Sequence, residues 1–489
     1  MVHGKQFAIL PEALKREGYR HLTLPDGMVL SYHEALPVVC SKENDALLLG
    51  HAWSAYPSGE SPAEAIARIG DEAALLREEC GWCGRYVLVL KGSVYTDTSA
   101  SMPVFYSTEG LSSDISFLVG DGHPRSELRL AGKTKWYPGP ATAYEGISRL
   151  LPSQAYQYRE KSLRFRNPLS PRVDPGQSYE ELKTRFCELL AASAENMQRH
   201  FGKARLLVAL TGGYDSRLSF AALCHGKETL AFSAYTLEHD NISEEDRQTP
   251  SRLCELTHVP YYYGKREKER FSEARNRAYI EHLSGMVAEE DQRFYAFGQY
   301  DALLAPGETG VLLRSNLYPV AAVSVTQQRA VGVRVDLNDF LANYEIAPGS
   351  PMARAFEDFF AWTKAHPLPI ADTHRFYWEQ KMACWSAEND RGYDIYDNLI
   401  PIQMGNCRDL ITMLLCMPEE KRTGKAHQAE MSAALCPQIA DIPYGSGQSG
   451  AKGKLGRALE TAGKVWHKTR NIGLARSFRY YLSKLTRRD

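Results

Sequence analysis

The stretch that most limits what this chain can fold into is Arg205-Leu-Leu-Val-Ala-Leu210, followed at once by Thr211-Gly-Gly-Tyr-Asp-Ser216. A short unbroken apolar run of this kind predicts a strand buried on both faces, the kind found in parallel sheets. The two glycines let the backbone turn sharply, and a helix is expected from Ser216 to Leu223. The rhythm continues with a strand Thr229–Tyr235, a helix Asp246–Thr257 and a strand Pro260–Tyr263. Strand and helix in alternation predict a parallel sheet with helices on both faces. Beyond about residue 265 the pattern reads as mostly helical.

A strand, a glycine turn and a helix make an anion cradle. The turn exposes backbone N–H groups, and the helix adds its free amides and positive dipole end. Thr211 and Ser216 offer hydroxyls to phosphate oxygens, and Asp215 offers a carboxylate to a Mg²⁺ on the same phosphates. Gly-Gly-x-Asp by itself is also an ordinary turn. Here the buried strand before it and the helix after it favour the phosphate reading.

The 489 residues exceed one core, and two to three domains are expected. Hydrophobic content of 44% and charged content of 24% describe a globular chain. A net charge of −1 argues against a general nucleic-acid coat. No apolar run approaches the roughly 18 residues of a membrane span, and Met1–Leu10 has no long apolar leader segment. Ten scattered cysteines fit buried thiols in a reducing compartment, so a cytoplasmic protein is expected.

Residues 1–165 read as short strands, at Asp45–Gly50, Arg85–Leu90, Ser93–Thr96, Val104–Tyr106 and Ser116–Gly120, with one helix from Pro62 to about Glu79. This predicts a mostly antiparallel, β-rich α+β domain. A linker is expected over Arg164–Gln177, which carries Pro168, Pro171 and Pro175. A capping box formed by Ser178 and Glu181 opens the second domain, read as 178–450. Lys452–Asp489 holds eleven Lys or Arg and two acids, a net of +9 that leaves −10 on the rest of the chain. This tail, 451–489, reads as a basic helix docked on an acidic body or as a contact for an anionic membrane surface or RNA.

Thr211-Gly-Gly-Tyr-Asp-Ser216 resembles the Ser-Gly-Gly-x-Asp-Ser pyrophosphate loop of the ATP pyrophosphatase superfamily. Within it the chain is most similar to the asparagine synthetase group, which includes β-lactam synthetases and lasso-peptide cyclases. Weaker matches follow in the family's order: Gly84-Arg85-Tyr86-Val-Leu-Val89, Asp97, Pro103-Val-Phe-Tyr106, Tyr137-Pro-Gly-Pro140, Tyr144–Ser148 with Leu151-Pro152, and Asp397–Pro401 with a helix Asn406–Pro418. The resemblance implies an N-terminal amidohydrolase-like (Ntn) domain followed by an α/β synthetase domain. It implies ATP and Mg²⁺ as cofactors and an AMP-forming route: a carboxylate attacks the α-phosphorus, pyrophosphate leaves, and an amine displaces AMP to give an amide. It places Ser233 and Ala234, on the second strand, against adenine. The substrates implied are a small-molecule or peptide acid and an amine, and the family pattern allows a homodimer.

Three departures shape the expectation. Residue 2 is Val where glutamine-using members expose a Cys, so no glutaminase activity is expected. The family's acidic metal segment corresponds to Val311–Pro319, which has no carboxylate; Asn316 is left to coordinate metal and Arg314 to meet a phosphate. The family's lysine turn reads Ile442-Pro-Tyr-Gly-Ser-Gly447, so Lys452 or Lys454 is expected to reach in. By the family's Glu-x-x-x-Pro spacing to Pro401, Asp397 is the acid–base residue of amide formation. Tyr393 or Tyr396 supplies the phenol, and Asp394 is an equal-looking neighbour of Asp397.

Other features carry less. Cys80-Gly-Trp-Cys83 has redox spacing yet precedes a strand and reads as free thiols. Glu289, Glu290 and Asp291 read as a solvated face or a cation site. The aromatic segment Phe376–Trp385 reads as core or pocket lining. An amide ligase leads. A macrocyclase of the same superfamily and a non-catalytic nucleotide-binding homologue are the alternatives, and AMP and pyrophosphate release from ATP discriminates them.

Overall fold

The computed structural model describes residues 4–41, 45–57, 59–130, 136–226, 228, 230–238, 242–265, 286, 303–321, 341 and 344–444. The expected tail, Lys452, Lys454 and Glu289–Asp291 lie outside them.

The first unit is built on two six-stranded antiparallel sheets. One contains β1 (Phe7–Leu10), β2 (Tyr19–Thr23), β3 (Val29–His33) and the short strands β8 (Phe105–Tyr106), β9 (Leu111–Ser112) and β10 (Ser148–Arg149). The other contains β4 (Val38–Ser41), β5 (Ala46–Ser54), β6 (Trp82–Leu90), β7 (Ser93–Thr96), β11 (Gln154–Gln157) and β12 (Ser162–Phe165). Alternation explains the packing of β5 and β6. Leu47, Leu49, Val87 and Val89 face Phe7, Ile9 and Leu30 of the opposite sheet. Leu48, Leu88 and Leu90 face the helices through Ile66 and Leu75. Both faces are covered, so these strands read as continuous apolar runs.

The helix expected over Pro62–Glu79 is two helices, α1 (Pro62–Arg68) and α2 (Glu72–Glu79). Asp71 ends the continuity: its carboxylate accepts from Ala74 N at 2.7 Å and caps α2. The strand expected at Ser116–Gly120 is a 3₁₀ turn, Ile115–Phe117, held by Asp114. The expected linker is tied down instead of free, with Ser170 N donating to Thr412 and Arg166 paired with Glu79.

The second unit opens with α3 (Tyr179–Phe201), capped by the Ser178–Glu181 box. Its sheet has five strands, all parallel, in the order β15-β14-β13-β16-β17. These are β13 (Arg205–Ala209), β14 (Phe232–Glu238), β15 (Tyr261–Lys265), β16 (Gly310–Arg314) and β17 (Leu399–Gln403), with α4 (Tyr214–His225) and α5 (Glu244–Thr257) between the first three. β16 and β17 add two strands to a stretch beyond residue 265 that was expected to be mostly helical; both are too short and too buried to alternate. Leu206, Val208, Val311 and Leu313 pack on the face that carries α3 and α4, and Leu207 and Leu312 on the other.

Buried charges join the units. Arg85 grips Asp394 with two guanidinium nitrogens, at 2.6 and 2.7 Å. Gln6 donates to the same carboxylate, and Lys5 donates to the carbonyls of Tyr396 and Leu399. Arg149 bonds Glu388 and the Ala383 carbonyl, and Arg391 bridges Glu388 and Asp114. A single helical stretch, 372–395, carries most of these second-unit partners; its middle, Tyr377–Ser386, is π-helical.

Removing one partner of a buried pair strands the other, a loss of about 3–5 kcal/mol. Asp394→Ala is expected to lower the unfolding midpoint by that order, and a midpoint equal to the parent's would show that Arg85 finds other partners. Lys381, set between Trp136 (4.3 Å) and Trp385 (5.4 Å), is pulled down to about 8 by burial. The unfolded chain binds that proton more tightly, so this group contributes a rise in stability between pH 8 and 10.5. Urea unfolding at pH 7.5 and 9.5 is expected to show a smaller gain in Lys381→Met than in the parent.

Candidate functional site

β13 is the central strand, and its carboxyl end delivers Thr211–Ser216 to the edge where parallel sheets bind ligands. The loop is ordered by its own side chains. Ser216 Oγ accepts from Thr211 N at 3.1 Å and bonds Thr211 Oγ1 at 2.9 Å, and Thr211 Oγ1 accepts from Gly213 N at 3.2 Å. Gly213 is the N-cap of α4 and brings no side chain to close the helix. The first-turn amides of α4 therefore meet no cap side chain, the arrangement that suits an anion.

Three polar neighbours, Lys425, Gln428 and Asp246, were not legible from the loop motif. Lys425 Nζ reaches one oxygen of Asp215 at 3.1 Å, and Gln428 Nε2 reaches the other at 2.8 Å. Lys425 starts the helix Ala426–Leu435 in a left-handed backbone conformation, φ +57°, which is unusual for a residue with a side chain. Asp246, in the first turn of α5, accepts from Gly212 N at 2.7 Å. That turn packs so closely on Gly212 that a β-carbon there would lie 3.1 Å from Glu245 O.

The chain after this helix returns to the loop. Arg217 is fully buried; its guanidinium donates to the carbonyls of Ile442, Pro443 and Gly212 and lies 3.7 Å over the ring of Tyr444. Tyr444 stacks on Tyr214 at 4.2 Å. Tyr444, at the expected lysine position, is thus a structural clamp.

The end of β16 lies beside the loop. Val208 pairs with Leu313, so Arg314 stands one strand over from the residues that enter Thr211. Arg314 lies 3.7 Å from Asp390 and 3.3 Å from the hydroxyl of Tyr393. Asn316 is tied through Nδ2 to Ser386, and its carbonyl accepts from Tyr377. Burial raises the Tyr377 phenol above its ordinary range, with the charge of Asp215 adding to it. Ser315 bonds Ser219 of α4 at 2.8 Å. Asp215, Arg314 and Asn316 thus share one end of the sheet.

The readings of Asp397, Tyr396, Asp394, Ser233 and Ala234 are corrected. Asp397 is exposed and precedes β17, at the amino end of the sheet, so the length of that strand, about 13 Å, separates it from the ligand edge. Tyr396 lies at the same end, its carbonyl bonded to Lys5. Asp394 is bound to Arg85. Ser233 and Ala234 are buried in mid-strand, paired with Leu207 and Val208, because β14 runs on to Glu238; Ser233 Oγ accepts from Arg205. Tyr235 and Thr236 are the residues of β14 beside the loop, bonded to Leu210. Among the described residues no group of three or more metal-type side chains occurs, and no helix is long and apolar enough to cross a membrane. None of the ten cysteines forms a disulfide.

No protein-family model matches the chain, and no curated protein matches it. Among solved structures it has a faint likeness to a glutamine-dependent NAD+ synthetase from Acinetobacter baumannii, with 12% identity, 35% of this chain and 31% of that one covered, and a TM-score of 0.19. An NMN synthetase from Francisella tularensis gives 12% identity, coverage of 50% and 96%, and a TM-score of 0.20. An NAD+ synthetase from Burkholderia pseudomallei gives 15%, coverage of 42% and 93%, and 0.20. Superpositions this poor assign neither a fold family nor an activity.

Gly212→Ala is expected to lower stability by about 1–3 kcal/mol, because the added methyl would lie 3.1 Å from the Glu245 carbonyl oxygen and push the first turn of α5 outward. Chemical unfolding checks it; an unchanged midpoint would mean that α5 yields freely.

Proposed function

We propose that the protein is an ATP-dependent, AMP-forming amide ligase. One observation carries this reading: the uncapped start of α4, behind a Gly-Gly loop at the carboxyl end of the central strand, with Asp215 and Lys425 beside it. Amides and an ammonium in that position bind a pyrophosphate, and a carboxylate beside them suits a metal on the same phosphates.

In this reading the amides of the first turn of α4 take the β- and γ-phosphates. Lys425 supplies the cation that the turn at 442–447 lacks. It leaves Asp215 for a phosphate oxygen as pyrophosphate departs, and so neutralises charge that grows in the transition state. Arg314 meets the α-phosphate or the acyl group from the neighbouring strand end. Asp215 is a fitting ligand for Mg²⁺, which is held by one or two carboxylates together with phosphates; Asn316 is a weaker second donor. When bound, Mg²⁺ would neutralise phosphate charge.

Incubation with ATP, Mg²⁺ and a panel of carboxylic acids is expected to release AMP and pyrophosphate. Asp215→Ala should weaken Mg-ATP binding and abolish that release, and unchanged affinity and turnover would sink the assignment. Lys425→Met should slow adenylation by about 10²–10³-fold, the usual loss for one transition-state donor. A variant as fast as the parent would remove Lys425 from the chemistry.

A further inference from the structure

Amide formation needs a group that takes a proton from the amine, and Asp397 is at the wrong end of the sheet to do so. The helical stretch that ends near Asp397 begins its last turns at the right end. There Ser386 bonds Asn316 and Gln403, which are at or just past the carboxyl ends of β16 and β17. Asp390, four residues on, accepts from Gln403 Nε2 through Oδ2 at 2.6 Å. Its other oxygen, Oδ1, is buried, 3.7 Å from Arg314, and has no hydrogen-bond donor among the described residues. A carboxylate oxygen left so in a protein interior calls for a ligand or a chemical role.

We propose that Asp390 Oδ1 receives the amine substrate and accepts its proton as the amide bond forms. This rests on the ligase reading above. The substrate class it names is a primary amine, cationic at neutral pH. Of the pair only Arg314 reaches solvent, with side-chain exposure of 20% against 1% for Asp390. The amine therefore meets Oδ1 by displacing the guanidinium, and one cation replaces another beside the same carboxylate. Asp390 takes one proton from the ammonium, which frees the nitrogen lone pair; that pair forms the C–N bond to the acyl carbon as the C–O bond to AMP breaks with its electron pair on the phosphate oxygen, and the second proton leaves the nitrogen for water. Burial raises the affinity of Asp390 for a proton, offset in part by Arg314, Gln403 and Arg85 and reinforced by Asp394. That direction suits a base that must hold the proton it takes.

The test separates two steps. Acid-dependent exchange of labelled pyrophosphate into ATP reads adenylation alone; amide formation with methylamine reads the second step. Asp390→Asn keeps an acceptor for Gln403 and removes the base. It should retain exchange while amide formation with methylamine falls by about 10²–10⁴-fold. Hydroxylamine, already unprotonated at neutral pH, should recover most of the loss. Circular dichroism and a thermal melt confirm that the variant folds, and Asp390→Ser provides a second variant if it does not. Undiminished amidation in a folded variant overturns the assignment. So does equal slowing with methylamine and hydroxylamine, which marks a merely structural residue. Absence of exchange in the parent protein for every acid overturns the ligase reading and this inference with it.

Discussion

The bidentate grip of Arg85 on Asp394 is the contact on which the arrangement of the two units depends. It belongs to a seam of buried arginines: Arg85, Arg149, Arg391 and Arg408 are each at most 4% exposed. Exchanging such pairs for apolar side chains is often neutral in stability, whereas mispairing them is severe. The seam therefore acts by selection. Any other docking of the two units would leave guanidinium groups buried without partners. Asp394 and Asp390 lie four residues apart on the same helical stretch, one held by the first unit and the other facing the end of the parallel sheet. The first unit thus braces a wall of the candidate site while contributing no residue to its ligand edge among those described.

At the loop, the charges are arranged in advance. Hydroxyls expected to meet phosphate are used to hold the turn, Gly212 N–H is held by Asp246, and Asp215 is held by Lys425 and Gln428. A ligand arriving there exchanges these contacts and fills the uncapped amides of α4. Such a site gives modest affinity per contact and a geometry already close to the bound one. The left-handed backbone at Lys425 fits this picture, since strain of that kind persists where surrounding contacts impose it.

Sequence reading captured the elements whose physics is local. The capping box at Ser178, the buried strand Arg205–Leu210 and the glycine turn after it each announce themselves within a few residues, and all are present. Boundaries failed where one residue overrides periodicity: Asp71 splits a helix whose apolar spacing runs straight through it. β16 and β17 escaped because short strands buried on both faces have no period to read. The site was only partly legible. Arg314 and Asn316 came from the resemblance of Val311–Pro319 to the family's metal segment, and the structure sets them at the carboxyl end of β16. Asp397 was misplaced because spacing to Pro401 says nothing of direction, and only the parallel register of β17 shows that a residue before it faces away from the ligand edge. Lys425 and Asp390 could not be found locally, since each meets its partner through a chain separation that no motif records.

The clamp of Arg217 and Tyr444 has a consequence for how the protein is made. β13, the loop and α4 leave the ribosome early, yet the carbonyls that Arg217 binds and the ring that covers Tyr214 are encoded roughly 230 residues later. At about 5–20 residues per second that interval lasts on the order of 10–45 s. Throughout it the nascent chain holds an arginine whose carbonyl partners are still to come, and for most of it a carboxylate whose lysine has not yet been translated. The Gly-Gly loop is thus written early in the second unit, after α3 and β13, and is among the last parts to be completed, and a nascent chain stopped before Ile442 cannot close it.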